Sequence, residues 1–560
     1  MTDIPQTQYA VQIVAADETQ LNTGKPVPEL GPTQVLCKIE ATGICFSDTK
    51  LLHAFTSHPR KGEVLTFMTA DELATIPSYV PGETPTVPGH EACARVVAVG
   101  SEVERHQIGD RALVQTDYRH MLTAGSNASF GYNFEGALQQ YVLMDERVII
   151  DPHTQERFLI PVSDEPSASA VGLLEPWACV ERAYATEERG TLAAGGKLLV
   201  VAESDHFIEG LPELIEAAPP ASITAVVADS AQQAALESVG SAFADSTDGL
   251  EAGTYDDIIY FGSDPGRVEA LQALLTLKGV IDVVLGGESL GRPVEVDVGR
   301  VHYDLLRWVG TTGASAAEGY SWVPATGELR PGEKVGVIGA AGPMGFMHVI
   351  RALTAGLPGV SVDAIDIDEE RLAHLASVAT PLAEARGLAL AAIDSKSQEP
   401  AGGYTRIGCM VPVPPLAAST VDLAAEGAII DFFAGFAVGT TAPLDLDRML
   451  AKHIYILGTS GSMISDMKAV LGRLEAGTLD TNISVYAVSG MQGVAEALEA
   501  VKARTSGGKI VIYPQLTQMG MITLADMATE LPAVAVALDE GRWTKAAEAI
   551  LLETAGGALA

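Results

Sequence analysis

Three residues in the first hundred have the side chains of an open catalytic zinc site. Cys45 lies in the run Gly-Ile-Cys-Phe-Ser-Asp, and His90 and Glu91 end the later run Pro-Gly-His-Glu. A thiolate, an imidazole and a carboxylate are typical ligands of a catalytic zinc ion, which keeps one position open for substrate or water. Glu175, in the run Leu-Glu-Pro-Trp-Ala-Cys, offers a further carboxylate. Together, Cys45, His90 and one or both of the glutamates could hold a metal that polarises an alcohol or carbonyl oxygen. Taken singly, Cys45 is more often a small buried side chain, His90 a hydrogen-bonded core residue and Glu175 a solvated helix charge.

Polar residues beside Cys45 could move protons or orient the ligands. Ser47 is the first hydroxyl that could take a proton from an alcohol. Asp48 could orient His90 by a hydrogen bond, although a carboxylate that caps a helix explains the same position. His53 could pass the proton onward, and an exposed histidine with no catalytic role is the alternative.

A second set of residues has the spacing of a dinucleotide site. An apolar strand pattern at residues 334–338 leads into the turn Gly-Ala-Ala-Gly-Pro-Met-Gly at residues 339–345, and the next strand pattern ends at Asp366. Glycines let the backbone approach a pyrophosphate, the helix start donates N–H groups, and the acid accepts hydrogen bonds from the adenosine ribose. We therefore predict NAD as the cofactor in preference to NADP. The candidate cofactor contacts are Gly339, Ala341, Gly342, Pro343, Met344, Gly345, Asp366 and Arg371.

The strand pattern around this turn occurs twice in the chain. Residues 195–313 run through the same order of apolar segments as residues 334–461. At the turn, however, the first copy reads Ala-Glu-Ser-Asp-His at residues 202–206, with two acids and no glycine where a pyrophosphate needs donors. We predict a duplicated Rossmann-like unit in which only the second copy binds dinucleotide. A structural or dimer-forming role then falls to the first copy, with a regulatory ligand site as the alternative.

Taken in order, these runs resemble the zinc-dependent medium-chain alcohol and polyol dehydrogenases. Val96, Val99-Gly100 and Gly109-Asp110-Arg111 add to the resemblance, which covers nearly all of residues 30–190. Later runs at residues 342–345, 431–435, 458–462 and 507–513 look like the sorbose-1-phosphate reductase branch. The resemblance implies NAD-linked oxidation of a secondary alcohol of a polyol, sugar or sugar phosphate, with Ser47 first in a proton relay. Relatives differ in whether the two glutamates bind zinc directly, and many have a histidine where this chain has Lys50.

The chain departs from this family in two places. An insertion at roughly residues 56–86 carries His58, Pro59, Arg60 and Lys61, which could reach an anionic substrate or form a solvated loop. The family often holds a second, structural zinc with four cysteines, but residues 112–150 contain no cysteine. We therefore expect one zinc ion per chain, at the catalytic site.

The predicted fold class is α/β. We expect a GroES-like, β-rich zinc catalytic domain, two tandem Rossmann-like doubly wound domains and a helical C-terminal extension that packs on the body or on a partner. The predicted boundaries are residues 1–190 for the catalytic domain, 191–327 for the degenerate Rossmann-like domain, 328–480 for the NAD-binding domain, 481–515 for a return segment and 516–560 for the extension.

Composition narrows the possible partners. The net charge of −37 repels nucleic-acid phosphate and anionic lipid, so we expect neither nucleic acid nor membrane as a partner. Five cysteines, without an apolar secretory start or a membrane-length apolar run, favour a reducing cytoplasm. The expected partners are a small polyol, sugar or sugar-phosphate substrate and further copies of the chain in a dimer or tetramer.

Two other functions fit the same residues. A lyase or epimerase with bound NAD could oxidise a sugar-like substrate transiently and then return the hydride, with no net redox change. A dinucleotide-sensing or scaffold protein without catalysis would explain the degenerate repeat, although the intact candidate site at Cys45, Ser47 and His90 argues against it.

Overall fold

The computed structural model describes residues 4–437 and 439–558. The chain divides into two compact units, a discontinuous unit of Met1–Ala178 with Ser462–Ala560 and a central unit of Cys179–Gly461. None of the helices in these described ranges is long and apolar enough to cross a membrane.

The first part of the discontinuous unit is rich in strands. Its strands are β1 (Thr7–Ala15), β2 (Glu18–Pro26), β3 (Gln34–Gly43), β4 (Glu91–Val99), β5 (Arg111–Val114), β6 (Asp117–Leu122), β7 (Asn127–Ser129), β8 (Tyr141–Asp145) and β9 (Leu159–Pro161). Its helices are α1 (Phe46–Ala54), α2 (Ala70–Leu73), α3 (Glu146–Ile149), α4 (Ala168–Gly172) and α5 (Leu174–Tyr184), the last of which contains the boundary with the central unit.

The central unit alternates strands with helices. Its strands are β10 (Lys197–Ala202), β11 (Ser222–Val226), β12 (Ala242–Phe243), β13 (Tyr255–Phe261), β14 (Leu275–Val284), β15 (Val294–Asp297), β16 (Arg307–Thr311), β17 (Lys334–Ile338), β18 (Ser361–Asp366), β19 (Ala389–Asp394), β20 (Tyr404–Cys409), β21 (Ala424–Asp431), β22 (Thr441–Leu444) and β23 (Tyr455–Leu457). Its helices are α6 (Leu211–Ala217), α7 (Ser230–Glu237), α8 (Pro265–Leu271), α9 (Val298–Tyr303), α10 (Ala316–Ser321), α11 (Pro343–Leu353), α12 (Glu369–Ala385), α13 (Pro414–Leu423) and α14 (Leu446–Ala451).

The chain then returns to the discontinuous unit. The elements there are α15 (Ile464–Glu475), β24 (Val485–Ser489), α16 (Val494–Lys502), β25 (Lys509–Ile512), β26 (Ile522–Thr523), α17 (Met527–Glu530), α18 (Pro532–Ala535) and α19 (Lys545–Ala558).

An eight-stranded sheet joins the two parts of the discontinuous unit. Its order is β26-β24-β25-β3-β4-β5-β9, with β8 also paired to β3. The end of β3 is paired on both sides, because Gly43 faces Glu91 of β4 and Val511 of β25. Cys45 follows two residues after Gly43. This register therefore brings the cysteine, the start of β4 and the strand from the far end of the chain to one place.

One twelve-stranded sheet forms the centre of the other unit. Its order is β12-β11-β10-β13-β14-β16-β23-β21-β20-β17-β18-β19. Residues 197–311 supply one half and residues 334–457 the other, and each half has the strand order 3-2-1-4-5-6 of doubly wound folds. Neighbouring strands are parallel within each half, whereas β16 and β23 meet antiparallel at Trp308 and Ile456. Residues 191–327 and 328–461 of the two segments predicted as separate domains thus belong to one compact unit and contribute to one sheet, whereas residues 462–480 belong to the discontinuous unit.

The C-terminal segment packs on its own discontinuous unit. The carboxylate of Glu548 accepts hydrogen bonds from the backbone N–H groups of Ala168 (2.7 Å) and Ser169 (2.8 Å) at the start of α4. The hydroxyl of Tyr513 donates to the same carboxylate at 2.9 Å, and Trp543 is fully buried beside it. These contacts make α19 part of the core around α4, which corresponds to packing on the body among the two predicted alternatives.

Candidate active site

Cys45, His90 and Glu91 come together where β3 ends and β4 begins. One potential ligand atom from each of the three residues lies within 4.8 Å of the others. His90 and Glu91 are buried, and Cys45 is half-buried. The trio therefore has the composition and the spacing to hold one metal ion, with the thiol side of the group nearer to solvent.

Glu91 shows most directly that this group fits a cation. Lys509 Nζ lies 2.5 Å from Glu91 Oε1 and donates to the carbonyl oxygen of Ile44 at 2.9 Å. Glu91 Oε2 is buried and has no hydrogen-bond partner within the part of the chain that the structure describes. A Cβ atom at Gly43 would lie 2.0 Å from that oxygen, so the carboxylate needs glycine there. An orphaned carboxylate oxygen beside a thiol and an imidazole fits a divalent metal.

Asp48 connects the two pieces of the site. Its Oδ2 accepts a hydrogen bond from the Cys45 N–H at 2.9 Å, and its Oδ1 accepts one from the Gly89 N–H at 3.1 Å and lies 3.2 Å from His90 Nδ1. Burial pushes the pKa of Asp48 upward, but His90 and the backbone N–H groups of Cys45 and Gly89 together hold it below its usual value of 3.8. The Cys45 contact has the geometry of a helix cap, and the His90 contact has the geometry needed to orient the ring; the orienting role stays a prediction. A histidine that donates from Nδ1 keeps the lone pair of Nε2 for a metal.

The predicted proton-relay residues have different positions. Ser47 Oγ lies 3.5 Å from Cys45 Sγ, beside the trio. Lys50 is half-buried, with Nζ 5.8 Å from the centre of the Phe46 ring. His53 has a side chain that is 78% exposed, and its Nδ1 lies 3.0 Å from Asp17 Oδ2. This geometry favours the surface alternative for His53 over a place in the relay.

Glu175 lies on α5 and is not one of the three grouped ligands. Burial raises its pKa to about 7, the charge of His90 acts in the opposite direction, and the charge of Glu91 adds to the rise. The carboxyl group of Glu175 is thus close enough to His90 and Glu91 to interact with both electrostatically. Direct ligation by Glu175 stays a prediction.

One residue of the insertion has a structural role in place of the anion-binding role considered for it. Lys61 is fully buried, and its Nζ donates to the carbonyl oxygens of Val80 and Thr84. Burial lowers the pKa of Lys61 to about 7. Its side-chain nitrogen thus links parts of the insertion to one another.

Lys509 is a site residue that the motifs did not reveal. It begins the short strand β25 and contacts Glu91 across a long sequence separation. It lies in the run at residues 507–513, at the start of the otherwise apolar strand Lys-Ile-Val-Ile, but neither feature assigned it to the site.

The glycine-rich turn joins β17 to α11 in the central unit. Gly342 caps α11, Pro343 is its first residue, and Met344 is half-buried on its first turn. A Cβ atom at Gly345 would lie 2.2 Å from the carbonyl oxygen of Gly339, so a larger residue cannot pack the helix against the turn. The arrangement of strand, close turn and helix start is that of a pyrophosphate site.

Asp366 ends β18, the parallel neighbour of β17. Its Oδ2 accepts a hydrogen bond from the Ala341 N–H at 2.9 Å, and its Oδ1 accepts one from the Ile367 N–H at 2.7 Å. Arg371 lies farther out, with Nη2 3.8 Å from Asp366 Oδ1 and Nε 3.0 Å from Asp368 Oδ2. The acid thus lies beside the turn, as a ribose-binding carboxylate must.

Side chains occupy the corresponding turn of the first half. Glu203, Asp205 and His206 follow β10, and their potential ligand atoms lie within 4.8 Å of one another. The Tyr260 hydroxyl and the Ser263 N–H donate to the carboxylate of Glu203. Carboxylate side chains therefore occupy the turn of the first half, whereas the turn of the second half is rich in glycine and exposes its backbone.

Comparisons with known proteins agree with this description. Residues 31–153 match the alcohol dehydrogenase GroES-like domain. Similar proteins include the uncharacterized protein YggP of Escherichia coli K12 (27% identical, over 41% of this chain and 58% of that protein) and a sorbitol dehydrogenase of Bacillus subtilis (29%, over 31% and 44%). An alcohol dehydrogenase of Rhizobium meliloti is 32% identical over 21% of this chain and 32% of that protein. The chain thus spans between 32% and 58% of the length of these relatives.

Two solved structures have a similar fold. One is 2R,3R-butanediol dehydrogenase from Bacillus subtilis, 15% identical, with a TM-score of 0.50 over 91% of this chain and 100% of that one. The other is a short chain alcohol dehydrogenase from Escherichia coli CFT073 complexed with NADH, 13% identical, with the same TM-score and coverage. At these identities, the two structures show a similarity of fold alone.

Proposed function

We propose that the chain is a zinc- and NAD-dependent oxidoreductase that interconverts a secondary alcohol and a ketone of a polyol, sugar or sugar phosphate. The observation that carries the proposal is the grouping of Cys45, His90 and Glu91, whose potential ligand atoms lie within 4.8 Å of one another. The match of residues 31–153 to a dehydrogenase domain and the polyol dehydrogenases among the relatives support the same class.

The chain's own residues have distinct tasks in this reaction. Zinc at the trio would supply Lewis-acid polarisation of the alcohol oxygen, and NAD would supply the hydride acceptor. Ser47, beside Cys45, takes the alcohol proton. Asp48 fixes the ring of His90, and Lys509 fixes Glu91, so that the ligands keep their geometry while the substrate changes. Glu175 serves as a fourth ligand or contacts the metal through water.

The dinucleotide turn suits NAD. The carboxylate of Asp366 would accept hydrogen bonds from the ribose hydroxyls and repel the 2′-phosphate of NADP. We further propose that the two halves of the twelve-stranded sheet are duplicated Rossmann-like units of a sorbose-1-phosphate reductase-like branch. The first unit has lost dinucleotide binding, and the chain works in the cytoplasm as a homo-oligomer.

Metal analysis tests the site. We expect about one zinc per chain and loss of that zinc in Cys45→Ser, with the fold unchanged by circular dichroism because an open site contributes little to folding. Zinc content that is unchanged in Cys45→Ser would place the ion elsewhere, for example at Glu203, Asp205 and His206.

Reaction stoichiometry tests the chemistry. A panel of polyols and polyol phosphates is incubated with NAD, and NADH and product are measured in the same samples. A dehydrogenase forms one NADH per product molecule, and Cys45→Ser forms neither. Product that accumulates without NADH would overturn the proposal in favour of a lyase or epimerase that returns the hydride.

A further inference from the structure

We propose that His302 and Arg307, in the first half of the twelve-stranded sheet, position the strand ends that hold the nicotinamide side of NAD in the second half. Both are positioning residues, because each binds a backbone carbonyl oxygen of the second half and acts on the cofactor through it. This inference rests on the proposed NAD site. It gives the first half a task in cofactor binding, although its own turn has carboxylates in place of glycines.

The two halves meet like the subunits of a symmetric dimer. Residues 294–313 align without a gap with residues 442–461, so Trp308 of β16 is equivalent to Ile456 of β23. These two residues pair with each other where the strands meet antiparallel, and β15 pairs antiparallel with its equivalent, β22. In such a two-fold arrangement, every contact occurs once in each direction if the residues on both sides are the same.

The end of α9 and the start of β16 reach two carbonyl groups of the second half. His302 Nδ1 lies 3.1 Å from the carbonyl oxygen of Phe432, and it carries the proton because a carbonyl oxygen only accepts. Arg307 Nη1 donates to the carbonyl oxygen of Gly458 at 3.0 Å. Both side chains are buried, and a Cβ atom at Gly458 would lie 2.3 Å from the carbonyl oxygen of Val301. The halves are therefore in close polar contact at this place.

An ion pair fixes the direction of the Arg307 side chain. Its Nε lies 2.7 Å from Glu188 Oε2, and its Nη2 lies 3.0 Å from Glu188 Oε1. A bidentate pair of this kind holds the plane of the guanidinium group. The Nη1 donor consequently has one defined direction, toward Gly458.

The two carbonyl groups lie at the strand ends where a doubly wound fold holds its second mononucleotide. Phe432 follows β21 and Gly458 follows β23, the fifth and sixth strands of the second half. Both strands continue the parallel series of β17 and β20, so their carboxyl ends lie at the edge of the glycine-rich turn. The fold binds one mononucleotide with each set of three strands, so the nicotinamide side of NAD belongs to strands four to six.

A hydroxyl next to Gly458 distinguishes the two halves at this edge. Thr459 Oγ1 is buried and has no hydrogen-bond partner within residues 4–437 and 439–558. The equivalent hydroxyl of the first half, that of Thr311, donates to Glu318 Oε2 at 2.8 Å. A buried polar atom without a partner is costly, and the carboxamide of nicotinamide can both donate to a hydroxyl and accept from it. The second half thus fits a polar ligand group at the strand end that Arg307 contacts.

The equivalent positions of the second half carry different side chains. Leu450 is the equivalent of His302, and Tyr455 is the equivalent of Arg307. Leucine has no hydrogen-bond donor, and the Tyr455 hydroxyl donates to Glu188. The two donor contacts therefore run in one direction, from the half with carboxylates at its turn to the half with glycines.

The experiment is calorimetry on the full-length zinc-loaded protein with NAD and with ADP-ribose, which has every part of NAD except nicotinamide. His302→Leu introduces the residue found at the equivalent position. It should weaken NAD binding about 3- to 10-fold, the scale of one net hydrogen bond, and leave ADP-ribose binding unchanged. His302→Asn keeps an N–H donor close to the backbone and should restore most of the NAD affinity.

A second variant and a control accompany this test. Arg307→Lys keeps a positive charge beside Glu188 but lacks the fork that also reaches Gly458, so it should weaken NAD selectively as well. His206→Leu is the matched control, because His206 is equally buried and its Nε2 lies 3.3 Å from the carbonyl oxygen of Leu285 in the same half. It should leave both affinities unchanged.

The outcomes separate this inference from the proposed function. Unchanged NAD affinity in both His302→Leu and Arg307→Lys overturns the inference, and so does an equal loss of NAD and ADP-ribose binding, which a merely structural role would produce. Wild-type protein that binds neither ligand overturns the proposed NAD site and this inference with it. Protein that binds NAD and oxidises no alcohol overturns the dehydrogenase alone, because the selective loss of NAD in the variants still supports the positioning role.

Discussion

The two halves of the twelve-stranded sheet share a strand order and differ at one turn. In both, the first strand leads into a turn at the carboxyl edge of the sheet, but Gly339 to Gly345 form it in one half and Glu203 to His206 in the other. The comparison teaches that the strand order depends on apolar strands and crossovers, whereas ligand binding depends on a few residues at one strand end. Two halves with the same strand order can therefore present different residues at the turn.

The halves also share a buried acid at one position. Asp282 lies near the end of β14, two residues before its last residue, and Asp431 is the last residue of β21. Each of these strands is the fifth of its half. Both carboxyl groups are buried with no hydrogen-bond partner among residues 4–437 and 439–558. The two halves thus share this buried acid although their turns differ.

The largest expected effect is at the turn itself. Gly345→Val should abolish NAD binding, because its side chain would collide with the Gly339 carbonyl and push α11 away from the strand. Ser204→Val, at an exposed position of the first-half turn, is the control and should leave NAD affinity unchanged. Calorimetry measures both, and wild-type affinity in Gly345→Val would remove the distinction between the halves.

The buried acids should make stability depend on pH in the same direction in both halves. Burial raises the pKa of Asp431 to about 7, with Arg406 and Arg307 opposing the rise, and burial also raises that of Asp282. A raised folded pKa means that folding takes up a proton, so stability falls as pH rises from about 4 to about 7 and is level above that range.

Asp431→Asn should therefore be more stable than wild type at pH 8 by up to about 4 kcal/mol, and similar at pH 4. Asp282→Asn should show the same sign. Urea unfolding at several pH values checks this, and a variant that loses stability equally at all pH values would argue for a charged, functional aspartate instead.

A smaller effect is expected for the acids after the second strands. Asp366→Ala should weaken NAD binding by about 1.5 to 3 kcal/mol, the scale of a charge-assisted hydrogen bond. Asp229 accepts hydrogen bonds from the Ala231 and Gln232 N–H groups and caps α7. Asp229→Ala should thus leave NAD affinity unchanged and cost about 1 kcal/mol of stability. Equal losses of affinity in both variants would contradict the account.

Local patterns were sufficient for part of this structure. The strand predicted at residues 334–338 coincides with β17, and the acid predicted to end the next strand is the last residue of β18. Apolar runs, glycine turns and helix starts are short-range features, so the sequence pattern reveals them. The approach of Cys45 to His90 followed from the family resemblance and not from spacing.

Contacts between residues far apart in the chain could not be predicted from these local patterns. The antiparallel meeting of β16 and β23, the ion pair of Lys509 with Glu91 and the burial of Lys61 join residues that are distant in the chain. Each depends on how strands pair and how a loop folds back, which no local periodicity encodes.

Calorimetric titration of the full-length protein with NAD tests the comparison most directly. If only the second half of the sheet binds NAD, we expect one NAD per chain. Binding should be lost in Gly345→Val and kept in Ser204→Val. Two NAD molecules per chain, or one that persists in Gly345→Val, would contradict the account.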